Sequence, residues 1–298
     1  MKRFLKNRTV KLIRHTFISL SLLLLLSVFI VMPYSLALRV GGILGRAACF
    51  LLPAYRRKAD INIRTSLKGL SPTMLRKIRI ETFRNIGMNL AEFGMLGFRP
   101  KSFWMRKVEI TGIPVLKEYI GRKGIIYLTA HIGNWELMGA YLSMAGYPVN
   151  VVAKEIHNSR VNHMLVRMRK NRGVSTVYRD GRGNVRKMVG ILRKKEMLGI
   201  LIDQDTRVGG IFVDFFGRPA YTPTACSQFA RLKDTVVIPG FIYRKPGLSH
   251  RIEVMDPVPG GRDIESETQG YTRIIESFIK RHPSQWVWMH SRWKKKPA

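Results

Sequence analysis

GIIYLTAHIGNWELMGAYLSMAG, Gly124 to Gly146, decides the fold. Its first seven residues, 124–130, form an unbroken apolar run of strand length, rich in β-branched and aromatic side chains, and predict a buried strand. From Asn134 onward the pattern changes to helical spacing, with helix-forming Leu, Met and Ala residues. The same alternation continues downstream. PVNVVAK (148–154) predicts a second strand and RVNHMLVRMRKNRG a second helix; STVYR (175–179) predicts a third strand, followed by the helix NVRKMVGILRKK. LGILID (198–203) is a fourth strand, and TVVIPGFIYR (235–244) with HRIEVM (250–255) form a late hairpin around Pro246–Gly247, before a terminal helix through IESFIKRH. Strands alternating with helices imply an α/β domain: a mostly parallel mixed sheet flanked by helices, antiparallel at one side.

Upstream the character differs. Residues 55–120 read as helical and basic; SPTMLRKIRIETFRNIGMNLAEFGML places Ser71 as an N-cap before Pro72. The N-terminus carries Lys2, Arg3, Lys6, Arg8, Lys11 and Arg14, followed by the uncharged stretch TFISLSLLLLLSVFIVMPYSLAL, Thr16 to Leu38. That length suffices for a membrane helix. A cleaved signal peptide competes, but its apolar region spans about 7–15 residues and ends at a small-residue cleavage site, and no such site follows here. Basic residues on both flanks leave orientation open. Pro33, Gly41, Gly42 and Gly45 permit a kinked or re-entrant pair, with Val40–Pro53 returning, or a shallow interfacial anchor. The expected organisation is therefore a basic N-terminus and membrane anchor over 1–54 and a catalytic domain over 55–298, helical to 120 and α/β over 121–298.

In the 298 residues Lys and Arg outnumber Asp and Glu by 52 to 19, a formal net charge of +33. Such a balance implies a polyanionic partner, and the apolar N-terminus favours an anionic membrane or phosphorylated lipid over nucleic acid. Cys49 and Cys226 provide neither zinc spacing nor a disulfide framework. No G-x-S-x-G elbow, Walker A loop, G-x-G-x-x-G turn or H-E-x-x-H helix occurs. Neither a cofactor nor a metal is expected.

The chemistry concentrates in HIGNWE, where His131 sits at the strand-to-helix turn and Glu136 in the first helical turn. A carboxylate holding one imidazole nitrogen leaves the other free to take a proton from an alcohol, as in a serine hydrolase whose serine is replaced by the substrate's own hydroxyl. Alone, the spacing is also compatible with a structural histidine at a strand end. Arg167, Arg169, Arg172 and Arg179 offer bidentate phosphate donors or, equally, a solvated basic face. Asp203 ends a strand, where it could orient an arginine or a substrate hydroxyl. With Asp205 it lacks the further acids that a calcium loop or a glycosidase pair requires. In FFGRPAYTPTA, Gly217 allows close backbone approach, and Thr222 before Pro223 reads as an N-cap whose helix start could hold a phosphate or an oxyanion, or simply be a capped helix. Trp286, Trp288 and Trp293 among Arg292, Lys294, Lys295 and Lys296 suit a membrane interface or plain packing. His157, His163, His250, His282 and His290 read as structural or surface residues.

HIGNWE, LIDQDTRVGGIFVDFFGRPAYTP and HPSQWVWMHSRWKKK, in this order, resemble the lipid A biosynthesis lauroyl/myristoyl acyltransferases, a bacterial branch of the glycerolipid acyltransferase-like fold. The resemblance runs over nearly the whole chain. It implies an inner-membrane enzyme facing the cytoplasm, with His131 as general base and Glu136 as its partner in the HX4E motif. It further implies an arginine near Arg169 or Arg179 in substrate binding, acyl carrier protein as the acyl donor, and a Kdo-bearing lipid A precursor as the anionic acceptor. Acylation of another glycolipid, such as a phosphatidylinositol mannoside, or of an aminolipid is the alternative within this chemistry. A non-catalytic, membrane-anchored polyanion binder is the alternative outside it.

Overall fold

The computed structural model describes residues 16, 19–181, 183–206, 208–260 and 263–297. The basic run from Lys2 to Arg14 lies outside them. Apolar sequence begins with two helices, α1 (Ser19–Val31) and α2 (Tyr34–Leu51), separated at Met32–Pro33. The stretch Thr16–Leu38 is thus broken at Pro33, a break that the kinked alternative allowed for. Proline has no N–H to donate and disfavours helical geometry in the residue before it, so the first helix stops and the second starts with Pro33 as its N-cap residue.

After α3 (Pro53–Ser66), the long α4 (Pro72–Leu96) begins as expected: Ser71 Oγ accepts from Met74 N at 3.2 Å, a cap worth about 1 kcal/mol. Gly41, Gly42 and Gly45 do not kink α2. They bring it against α4, where a Cβ on Gly87 would lie 2.0 Å from the Gly41 carbonyl oxygen and one on Gly45 2.2 Å from that of Phe83. Such backbone contact requires small residues on both helices.

Next come α5 (Lys101–Met105), β1 (Val108–Thr111) and α6 (Ile113–Tyr119). The stretch read as wholly helical therefore contains an edge strand, four residues long and half polar. The core follows the predicted order: β2 (Gly124–Thr129), α7 (Trp135–Met144), β3 (Val149–Ala153), α8 (Ser159–Lys170), β4 (Ser175–Tyr178), α9 (Asn184–Arg193) and β5 (Met197–Leu201). A hairpin, β6 (Gly210–Asp214) with β7 (Pro219–Pro223), precedes the six-residue α10 (Ala225–Ala230). β8 (Thr235–Arg244), β9 (His250–Val254), α11 (Ile264–Arg281) and a 3-10 turn, Pro283–Gln285, complete the described chain.

Seven strands form one sheet in the order β1-β9-β8-β2-β5-β3-β4, parallel throughout except for the β8–β9 pair. All six residues of β2 are buried because both of its sides are paired and both of its faces are covered. Alternation divides the core accordingly. Ile126 and Leu128 point toward α9, α11 and the C-terminal tryptophans, while Ile125 and Tyr127 point toward α2, α4 and α7. Trp286, Trp288 and Trp293 are buried. Of their two expected settings, packing is the one found, and Asn62 Nδ2 donates to the Trp288 carbonyl from α3 at 2.8 Å.

Candidate active site

In the β2–β5 pairing Thr129 stands opposite Leu201. His131 and Asp203 each follow their strand by two residues, so parallel register alone brings them to the same edge of the sheet. There, His131 Nδ1 lies 2.8 Å from Asp203 Oδ1, and the His131 backbone N–H donates to Oδ2 at 2.9 Å. Trp286 Nε1 donates to the same Oδ2 at 2.8 Å. Burial alone pushes the Asp203 carboxyl up, but the charge of His131 and three hydrogen bonds bring it down to about 2. An ionised Asp203 makes Nδ1 the protonated nitrogen and leaves Nε2 as the free base. The imidazole is about a quarter exposed, while Asp203 is fully enclosed. Trp135 packs edge-on against the imidazole, with ring centroids 5.0 Å apart.

The expected contact between Glu136 and the imidazole is replaced by a different one. Glu136 is held bidentately by Arg169 of α8, through Nε at 2.8 Å and Nη2 at 2.6 Å. On the first turn of α7 its carboxylate faces α8 rather than back toward the turn, and Asp203 takes the place beside the ring. Arg169 Nη1 is left buried without a hydrogen-bond partner. Arg169 therefore appears here as half of an ion pair with one unused donor.

The turn itself is rigidly held from below. Gly133 has φ +57°, and a Cβ there would lie 2.1 Å from the Ile242 carbonyl oxygen, so the position admits only glycine. Asn134 caps α7, accepting from Leu137 N at 3.1 Å, and donates to buried Glu92 at 2.7 Å. Asn89 donates to the Gly133 carbonyl at 2.6 Å. Glu92 also receives both terminal nitrogens of Arg244, at 2.8 and 2.7 Å, and lies 2.8 Å from His250 Nε2. Burial raises the Glu92 carboxyl, but Arg244 and His250 hold it well below the usual carboxylate range. Burial lowers His250 against the pull of Glu92. His250 is thus structural, as expected.

Beside His131 opens a cavity of about 450 Å³. Its polar wall gathers where four parallel strands end: His131 after β2, Lys154 after β3, Arg179 after β4 and Asp205 after β5. This is the edge at which α/β sheets carry their sites. Toward the strand starts the lining turns apolar, with Tyr127, Val149, Leu142 and Met197. Met197 to Leu201 alone represents about 13 Å of depth at 3.3 Å per residue. His290 also lines the cavity, its Nδ1 buried without a partner, and burial lowers it to about 4. Of its two expected settings, structural and surface, it takes a half-buried place on the cavity wall; the tail that carries it folds back beneath the site through Lys295, whose backbone N–H donates to Asp205 at 3.0 Å.

Two further expectations are corrected. Thr222 is no N-cap: it lies in β7, fully buried, accepting a hydrogen bond from Arg292, and α10 starts only at Ala225 after Thr224. Gly217 makes no close backbone approach, since nothing lies within 4 Å of its Cβ position. It supplies instead the φ of +71° that closes the β6–β7 hairpin beside Phe216 at +59°, with Phe215 N donating to the Arg218 carbonyl at 2.9 Å. No group of three or more His, Cys, Asp or Glu poised to hold a metal occurs among the described residues.

Residues 3–295 match the family model described as bacterial lipid A biosynthesis acyltransferase. The chain belongs to that family. It is 27% identical over 274 residues to the lipid A biosynthesis palmitoleoyltransferase of Escherichia coli, covering 90% of this chain and 88% of the relative. It is 25% identical to the lipid A biosynthesis lauroyltransferase of the same organism, over 89% and 88% of the two chains. A phosphatidylinositol mannoside acyltransferase of Mycobacterium tuberculosis is 21% identical over 174 residues, 57% of this chain and 54% of that one. The chain is accordingly an acyltransferase, and the fold places His131 where the sheet edge, the cavity and the Asp203 carboxylate meet.

Proposed function

We propose that this acyltransferase moves a fatty acyl chain from an acyl carrier protein thioester to a hydroxyl of a Kdo-bearing lipid A precursor, with His131 as general base. The observation that carries this reading is the Asp203–His131 pair, set beside a cavity that is cationic at one end and apolar along its length. Nε2 of His131 takes the proton of the acceptor hydroxyl as its oxygen attacks the thioester carbonyl. The C–O bond forms, the tetrahedral intermediate collapses with cleavage of the C–S bond, and the imidazolium returns the proton to the departing thiolate. Asp203 keeps the ring in the required tautomer and balances its transient charge. Glu136 acts through Arg169, presenting Nη1 and its charge to an anionic group, and Arg179 adds a second cation on the same wall.

Membrane attachment by the N-terminal helices belongs to the same reading. Leu20, Leu24, Val31, Ile43 and Leu51 on α1 and α2 are each more than half exposed, an apolar surface suited to a bilayer. The α2 helix is long and apolar enough to span, yet its seating on α4 equally fits an anchor that keeps one face on the protein. We place the enzyme at the bacterial inner membrane with the catalytic domain facing the cytoplasm.

The test is acyl transfer by purified membranes supplied with acyl carrier protein thioesters and a Kdo-lipid A precursor, with products weighed by mass spectrometry. Gain of one acyl chain on that acceptor supports the assignment. Transfer only to a phosphatidylinositol mannoside, offered in parallel, would replace the acceptor and keep the chemistry.

A further inference from the structure

Gly139 occupies the middle of α7 at a position where glycine serves no packing purpose. Nothing lies within 4 Å of the point its Cβ would occupy, and its conformation is ordinary helix. Glycine there costs about 1 kcal/mol relative to alanine. The residue lines the cavity. One turn earlier Glu136 meets Arg169 of α8, and one turn later Ser143 lies where a Cβ on Gly173, just beyond α8, would come within 2.5 Å of its Oγ. Gly139 therefore lies between these two contacts on the stretch of α7 that faces the α8 segment, with open space at its Cβ position.

Across the same cavity Gly199 sits in β5, in register with Tyr127 of β2 on one side and Val151 of β3 on the other. A Cβ on Gly199 would meet only the Asn150 carbonyl oxygen and Val151 Cγ1, both at 3.6 Å, which is ordinary contact. Neither glycine is demanded by backbone geometry or by a close neighbour. What the two positions share is empty volume in the apolar stretch beyond the His131 end.

We infer that Gly139, with Gly199 opposite, gauges the acyl chain: the two missing side chains leave the passage through which a long fatty chain extends past His131. This rests on the acyl-thioester reading above. A side chain at either position shortens the passage, so chains that reach it lose contact and shorter ones do not. Each buried methylene contributes about 0.8 kcal/mol, and discrimination of one methylene in an apolar pocket reaches about ten-fold or more.

The experiment compares wild type, Gly139→Ala, Gly139→Leu and Gly199→Ala with decanoyl, lauroyl, myristoyl and palmitoyl thioesters of acyl carrier protein, reading product masses and kcat/KM, with Tm measured for each protein. Gly190→Leu serves as control, since Gly190 is also helical with open space at its Cβ but lies outside the cavity. The ratio of kcat/KM for a shorter over the longest wild-type chain is expected to rise about four-fold in Gly139→Ala and at least ten-fold in Gly139→Leu, with Gly199→Ala moving the same way and Gly190→Leu unchanged. Should Gly139→Leu fail to fold, Gly139→Ala decides, because alanine strengthens the helix. An unaltered profile in folded Gly139 variants of an active enzyme overturns the gauge and leaves the acyltransferase reading standing. A wild type that consumes none of the thioesters overturns that reading, and the gauge with it.

Discussion

His131 Nδ1 and Asp203 Oδ1 stand 2.8 Å apart although 72 positions separate the two residues in the chain. The carboxylate beside the imidazole comes from the end of the neighbouring strand and not from the HIGNWE segment, so the two acids hold two different partners. Asp203 contacts the ring; Glu136 contacts an arginine.

Asp203→Asn keeps the shape of the contact but can stabilise the wrong tautomer and no longer balances an imidazolium. We expect kcat to fall by about 10³–10⁴, as for other buried carboxylate–histidine pairs, with KM for the thioester little changed. Steady-state kinetics on the folded variant checks this.

Glu136→Gln and Arg169→Gln break one bidentate pair from opposite sides. Residues acting as one unit are non-additive, so the double variant should lose no more activity than the worse single one. The ring resonances of His131, followed by NMR, should stay in place in Glu136→Gln and move in Asp203→Asn. A shift of equal size in both would return Glu136 to the imidazole.

The support beneath the turn is a stability matter. Arg244→Met leaves Glu92 buried with only His250 as an ionic partner, and removal of one member of a buried pair costs about 3–5 kcal/mol. Chemical denaturation should show a loss of that order. Activity per folded molecule should drop too, because Asn134 and Gly133 hang from the same network.

Two of the groups whose folded values lie below their unfolded ones, His290 and Asp203, set acid sensitivity in two separate windows. His290, lowered to about 4 by burial, binds its proton more readily when unfolded. Its contribution is complete above about pH 6.5 and is lost as pH falls toward 4. Asp203, at about 2 in the fold, adds stability that is present above its ordinary value of 3.8 and lost between there and 2. Denaturation midpoints measured across this range should decline in both windows, and His290→Gln should lessen the decline in the upper one only, where the burial-lowered His250 still contributes.

Much of this was legible in the chain itself. Apolar runs such as GIIYLTA and LGILID marked the strands because a doubly covered parallel sheet needs them. Ser71 announced α4, and Pro246–Gly247 the hairpin between β8 and β9. What escaped had physical reasons. β1 is an edge strand of four residues with half its side chains polar, too short for a period to register. The β6–β7 turn asks Phe216 to take a positive φ, which no rule of turn composition favours in phenylalanine. Local spacing drew Glu136 to His131, whereas the true neighbour depends on which strands pair. Yet His131 and Asp203 both follow a buried strand by the same two residues, and adjacency of β2 and β5 was the missing fact.

The most direct test of the account is thioester turnover and acyl transfer by wild type and His131→Ala in the same membranes, with Tm confirming that both fold. The account predicts a fall in transfer of at least about 10²-fold, with bound thioester still detectable, because a general base contributes about 10²–10⁴. Transfer at the wild-type rate from a folded His131→Ala protein would contradict it.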